Sequence, residues 1–148
     1  MKEGFFVKIM AIDYGDAHTG VAVSDRTLTL CGFSTVVTAY RPEAVADKLL
    51  PLIREHEVGE LVLGHPLNMD GSRGPRAEKA EAFAALLRER SGLPVTLWDE
   101  RRTTVDAHNI LAANGKRAKE RKKTVDAVAA SLMLEGYLTF RKRQGAKE

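Results

Sequence analysis

The sequence predicts an α/β domain built on a five-stranded mixed sheet flanked by helices. Three observations predict it. Up to residue 38, three apolar runs follow one another with only short turns between them, the pattern of antiparallel strands. From Pro42 onward, segments with helical spacing alternate with two short apolar runs, the pattern of strands added in parallel. The chain has 148 residues, which fits a single domain, 1–148, with a short basic C-terminal tail.

The elements run in order. Residues 5–14 (Phe-Phe-Val-Lys-Ile-Met-Ala-Ile-Asp-Tyr) read as a largely buried strand. Gly15 to Gly20 is turn-like, and Val21-Ala22-Val23-Ser24-Asp25 completes a hairpin. Residues 28–38, with Leu28, Leu30, Phe33, Val36 and Val37, suggest a third strand. Pro42 opens a helix whose Val45, Leu49, Leu52 and Ile53 share a face and which ends near His56. Leu61-Val62-Leu63-Gly64 is a short strand stopped by Gly64 and Pro66, and a polar glycine-rich loop runs on to Arg76. Residues 77–90 carry a helical pattern through Ala80, Phe83, Ala84 and Leu87, ended by Ser91-Gly92. Val95-Thr96-Leu97-Trp98 is the fifth strand, and residues 103–114 and 125–142 are two further helices with a basic loop between them. The simplest assembly has three antiparallel strands and then two parallel ones. In such sheets, sites gather where strands end and loops diverge.

Composition narrows the function. Hydrophobic residues at 44% and charged residues at 29% fit a globular chain and exclude a disordered one. No apolar run approaches the roughly 20 residues that a bilayer-spanning helix needs. Met1-Lys2-Glu3-Gly4 opens no signal-peptide pattern. A single cysteine, Cys31, forms neither an internal disulfide nor a thiolate metal site alone, so a cytoplasmic protein is expected. Net charge is only +3, but it is unevenly placed. Lys116-Arg117-Ala118-Lys119-Glu120-Arg121-Lys122-Lys123 carries six cations and one anion, and Arg141-Lys142-Arg143 lies in the tail. Clustered cations suit a polyanion, unless they are simply a solvated loop and a frayed end.

Carboxylates mark the ends of apolar elements. Asp13 ends the first strand, Asp99 and Glu100 come directly after the last, and Asp126 falls in the first turn of the expected final helix. A carboxylate beside a core is costly unless it pairs or binds metal. Converging carboxylates suit a hard divalent cation such as Mg²⁺ or Mn²⁺, and such centres hydrolyse phosphodiesters. Each also has a simpler reading. Asp99 can cap the helix after it, Glu100 can pair with Arg101 or Arg102, Asp126 can favour a helix start, and Asp13 can bond within its turn.

Four segments in order resemble the YqgF/RuvX family. They are Ile12-Asp13-Tyr14-Gly15 through Gly20-Val21-Ala22-Val23-Ser24-Asp25, then Leu63-Gly64-His65-Pro66-Leu67-Asn68-Met69-Asp70-Gly71-Ser72, then Trp98-Asp99-Glu100-Arg101-Arg102-Thr103-Thr104-Val105-Asp106-Ala107, then Lys123-Thr124-Val125-Asp126-Ala127-Val128-Ala129-Ala130. Together they span about residues 8–140. Members of this family are known as proposed pre-16S rRNA nucleases and as proposed Holliday-junction resolvases. The resemblance implies a ribonuclease H-like fold and a metal-dependent nuclease, with 5′-end processing of precursor 16S rRNA ranked first. It implies Asp13, Glu100 and Asp126 as catalytic metal ligands. Asp99 is the neighbour that competes with Glu100, since adjacent residues leaving a strand point opposite ways. Arg101 is expected to contact phosphate or orient the acids.

His18 stands where the family usually has an arginine, and imidazole lacks the guanidinium fork. It is still expected to hydrogen-bond phosphate. Arg73 and Arg76 in the glycine-rich loop, together with Lys116, Arg117, Lys119, Arg121, Lys122 and Lys123, are the remaining candidate nucleic-acid contacts. Tyr14 either stacks on a base or packs in the core, and His65 is given no role. The partner is structured RNA or, alternatively, branched DNA, with no membrane, for a monomer or a homodimer. A non-catalytic nucleic-acid-binding module is the other alternative. A kinase-like phosphate loop at Asp13-Tyr14-Gly15 is disfavoured, because nucleotide enclosure needs two such domains.

Overall fold

Ile9 and Ala11 face one side of a sheet, Met10 and Ile12 face the other, and all four are buried. An unbroken apolar run is what a strand covered on both faces requires. Here it forms β1, Lys8–Asp13, the central strand. The computed structural model describes residues 7–102 and 118–146, with side chains for 7–101 and 127–144.

The remaining elements are β2 (His18–Ser24), β3 (Cys31–Thr38), α1 (Pro42–Glu55), β4 (Val58–His65), α2 (Pro75–Ser91), β5 (Val95–Asp99), a 3₁₀ turn (Glu100–Arg102) and α3 (Ala118–Ala146). The sheet order is β3-β2-β1-β4-β5. β1–β2 and β2–β3 are antiparallel, while β1–β4 and β4–β5 are parallel. The expected mixed sheet, three antiparallel strands then two parallel, is the observed one.

β2 begins at His18, earlier than the apolar pattern indicates. Thr19 is fully buried, and its hydroxyl faces the Gly15 amide at 3.4 Å. The turn is tight because Gly15 has no side chain: a Cβ there would run into the His18 carbonyl oxygen. Asp13 therefore sits opposite Gly20 in the ladder, at the mouth of the hairpin.

The two faces of the sheet are covered differently. α1 and α2 pack Val45, Leu49, Phe83 and Leu87 against Met10, Ile12, Val21 and Leu63. α3 packs Ala130, Met133, Leu134 and Leu138 against Ile9, Ala11, Ala22 and Val62. Trp98 meets Tyr137 and Phe140 edge-on, with ring centroids 5.4 Å apart in both pairs. Each fully buried Val, Leu, Ile, Phe or Met among these contributes about 1.5–3 kcal/mol. Tyr137 Oη also donates to Glu60 Oε2 at 2.6 Å, tying α3 to β4.

The final helix corrects one boundary. It starts at Ala118, so residues 118–123 form its first turns and not a loop. Ala, Lys, Glu and Arg are strong helix formers, and high charge alone is no helix breaker. Asp126 consequently lies in the third turn of α3. Arg141, Lys142 and Arg143 are also helical, and Arg141 pairs with Glu60 at 3.7 Å. The expected helix over 103–114 lies outside the described residues, as do Lys116 and Arg117.

Candidate active site

Side-chain parity along β1 settles where Asp13 points. It continues the Ile9–Ala11 series, so it faces the α3 side. Glu100 reaches the same place from β5. Trp98 faces α3, Asp99 turns away, and Glu100 returns to the α3 side. Asp13 and Glu100 then line one cavity of about 190 Å³ with Ala129 and Met133 of α3.

Between β1 and β5 lies β4, and Gly64 is the residue of β4 that Glu100 crosses. Gly64 pairs with Trp98 in the ladder. A Cβ on Gly64 would overlap the Glu100 carboxylate, with Oε2 nearest and Cδ and Cγ at 3.1 Å. The glycine is thus the space in which Glu100 lies. Burial pushes the Glu100 pKa up; the Arg76 charge opposes this, Asp99 adds to it, and His65 opposes it.

Asp99 is engaged elsewhere. Its Oδ1 accepts from the Arg101 backbone amide at 2.9 Å, the capping role considered from sequence. Arg101 also grips it with its fork, Nε to Oδ1 at 3.0 Å and Nη2 to Oδ2 at 2.7 Å. Arg101 Nη1 donates to the Met69 carbonyl at 3.2 Å, tying the loop after β4 to the end of β5.

Arg73 is likewise committed. It holds Glu81 through Nε to Oε2 at 2.7 Å and Nη2 to Oε1 at 2.5 Å. His65 Nε2 donates to the same Oε2 at 2.7 Å. Arg73 first and His65 second hold the Glu81 carboxyl down to about 2. An ionised carboxylate only accepts, so the His65 proton sits on Nε2. His18 Nδ1 lies 3.2 Å from Thr38 Oγ1 at the start of β2.

Arg76 lines a second cavity of about 250 Å³, with Tyr14, Gly15, Asp16, Gly64 and Lys79 among its walls. Tyr14 lies flat on Phe83, ring centroids 4.1 Å apart and planes 6° from parallel, so one face is already packed.

The structure thus brings together Asp13 and Glu100. Asp126 is on α3, three residues before the cavity-lining Ala129, and its side chain lies outside the described residues, as do those of Lys119, Arg121, Lys122 and Lys123. Among the described residues, no three acidic, histidine or cysteine side chains gather in metal-binding range. Sequence reasoning missed Gly64, His65, Glu81 and Lys79. The Gly64-His65-Pro66 step was visible, but a glycine ending a strand reads as a stop and not as room for a distant carboxylate.

The family model described as RuvX, Holliday junction resolvase, matches residues 7–140. A proposed pre-16S rRNA nuclease of Halothermothrix orenii is 41% identical over 137 residues, covering 93% of this chain and 98% of that one. One from Desulfitobacterium hafniense is 44% identical over 135 residues, 90% of this chain and 93% of its own. One from Geobacillus kaustophilus is 42% identical over 134 residues, 89% and 97%. Among solved structures, Thermus thermophilus RuvC in complex with a Holliday junction substrate matches with TM-score 0.60 at 16% identity. That match covers 90% of this chain and 96% of RuvC, and it shows the fold expected from the resemblance.

Proposed function

This chain belongs to the RuvX family, and from that premise we propose that it is a metal-dependent nuclease that hydrolyses phosphodiester bonds in nucleic acid. The observation that carries the reading is the meeting of Asp13 and Glu100, 87 positions apart in sequence by their numbers, in one cavity under α3.

The donor set fits a hard divalent cation. Both groups offer carboxylate oxygens, the ligand type of Mg²⁺ and Mn²⁺. Burial disfavours charge on Glu100, and a cation beside it restores the ionised form. Asp126 precedes Ala129 by three residues and Met133 by seven, spacings that place all three positions on one helix face. Asp13, Glu100 and Asp126 are therefore the residues assigned to hold the metal, while Asp99 is held by Arg101. When bound, the metal supplies an activated water and stabilises the leaving oxygen. The residues themselves fix the place of attack: Asp13 ends the central strand β1, and Gly64 lets Glu100 lie close over β4.

Precursor 16S rRNA, trimmed at its 5′ end, is the substrate favoured by the names of the relatives at about 40% identity. The second reading is junction cleavage, favoured by the family description and the RuvC-like fold. It requires two sites related by two-fold symmetry, hence a dimer. Cations on the first turns of α3 supply sequence-independent affinity in either case. No described helix is long and apolar enough to cross a membrane. The precursor-rRNA reading places the protein in the cytoplasm, with the RNA it would trim.

Cleavage of a labelled precursor-rRNA 5′ segment and of a four-way DNA junction, each with Mg²⁺ or Mn²⁺ and with chelator, tests this. Preferential cutting of the RNA supports the first reading. Preferential, symmetric cutting of the junction by a dimer replaces it with the second. Tight binding to either without any cutting, with metal present, replaces both with the non-catalytic module.

A further inference from the structure

We propose that the second cavity, next to the carboxylates, is a phosphate clamp in which Arg76 and Lys79 hold a backbone phosphate of the substrate strand beside the one being cut. The proposal rests on the nuclease reading and deepens it.

The two cavities share a wall. Gly64 lines the clamp, and its missing Cβ is the space taken by Glu100, which lines the carboxylate cavity. A strand lying across the end of β4 therefore meets both. Arg76 is close enough to Glu100 for its charge to lower that pKa.

The cations near the site are not equivalent. Arg73 and Arg101 each close a two-pronged pair with a carboxylate, Glu81 and Asp99. Breaking such a pair to meet a phosphate forfeits strong, charge-assisted bonds. Arg76 has no salt bridge among the described residues. Lys79 Nζ donates to Asp16 Oδ1 at 3.2 Å, but Asp16 is 94% exposed, so water competes for that pair and it is weak. Asp16 thus stands in for an anion that a phosphate can displace. It also adds a negative charge to the cavity mouth, so it opposes the strand that displaces it. The pair of cations one helical turn apart on α2, at positions 76 and 79, face the same side. Tyr14, held flat on Phe83, closes the inner wall.

The test is binding of a short fluorescein-labelled single-stranded RNA, and of the same sequence as DNA, by anisotropy in chelator over a range of salt. All three variants are surface changes that leave the core untouched. Arg76→Gln and Lys79→Gln should each weaken binding roughly tenfold and reduce the salt slope by about 1. Asp16→Asn should tighten binding, because it removes the opposing charge and frees Lys79. Unchanged affinity and slope in both cation variants, or weaker binding by Asp16→Asn, overturns the clamp. Metal-dependent cleavage by the wild type is measured alongside. If it cuts while the cation variants bind normally, the clamp fails and the nuclease reading stands; if it neither cuts nor binds RNA or DNA, the nuclease reading fails first.

Discussion

Gly64 and Glu100 occupy one space: the side chain that residue 64 lacks is replaced by the carboxylate of residue 100. The two belong to neighbouring strand ends, β4 and the turn after β5, so a single missing methyl group leaves the acid its place in the cavity it shares with Asp13. Gly64→Ala would move the far end of a flexible side chain and leave backbone in place. Thermal stability should change little, while cleavage should fall by about 10²-fold, the cost of misplacing a reacting group by an ångström. Melting curves and turnover, measured on the same preparations, check it. A variant that cuts normally would show that Glu100 need not lie where it does.

Glu100 should also leave a signature in stability against pH. Burial raises its pKa in the folded state, so the folded chain holds that proton more tightly than the unfolded one. The resulting stabilisation is fully present below the ordinary carboxylate range. It is lost as pH rises through the raised value. At neutral pH in chelator, Glu100→Gln should therefore melt at a higher temperature than the wild type, and the difference should shrink as pH is lowered to 4 and below. Adding Mn²⁺ should raise the wild-type melting temperature more than that of the variant. Melting curves over pH, with and without metal, read both effects.

Arg101 ties Asp99 to the Met69 carbonyl, and its removal should loosen the loop and leave the core alone. The Gly71 amide, bonded to the Asn68 carbonyl at 2.9 Å, and the Asn68 amide, bonded to the Ser72 carbonyl at 2.9 Å, report on that loop. Both should exchange hydrogen faster in Arg101→Ala, with little change in strand β1. Arg101→Lys should behave similarly, because an ammonium cannot form the two-pronged pair. Amide exchange measured by NMR distinguishes this local release from global unfolding.

Leu134 is fully buried where α3 meets the sheet. Leu134→Ala should cost about 2–5 kcal/mol, measured by urea denaturation. Because α3 carries Asp126 and lines the carboxylate cavity, activity should fall with stability as the helix loosens.

Much of the fold was legible because burial leaves a period in the sequence. Ile9 to Ile12 read as a doubly covered strand, and the parity that buries Ile9 and Ala11 also aims Asp13. The parity from Trp98 likewise separates Asp99 from Glu100. The basic segment is helical where its charge suggests a loop, because charge density signals solvent exposure and says nothing against a helix; Ala, Lys, Glu and Arg, which make up residues 118–123, are all good helix formers. Arg73 and Arg101 show a different gap. Their charge was legible, but that Glu81 and Asp99 already hold them depends on tertiary proximity, which no local pattern records. Lys79 is hidden for a related reason: on sequence it is one more cation on a helix, and only the fold sets it at a cavity with Arg76.

We propose that Asp13, Glu100 and Asp126 form the metal-dependent centre that cuts phosphodiester bonds. The most direct measurement is cleavage of the preferred labelled substrate by the wild type, Asp13→Asn and Asp126→Asn across a Mg²⁺ or Mn²⁺ titration, with chelator as reference. Cutting should rise with metal in the wild type, stop in chelator, and be lost in both folded variants. Cutting that persists in chelator, or full activity in both variants, would contradict the claim.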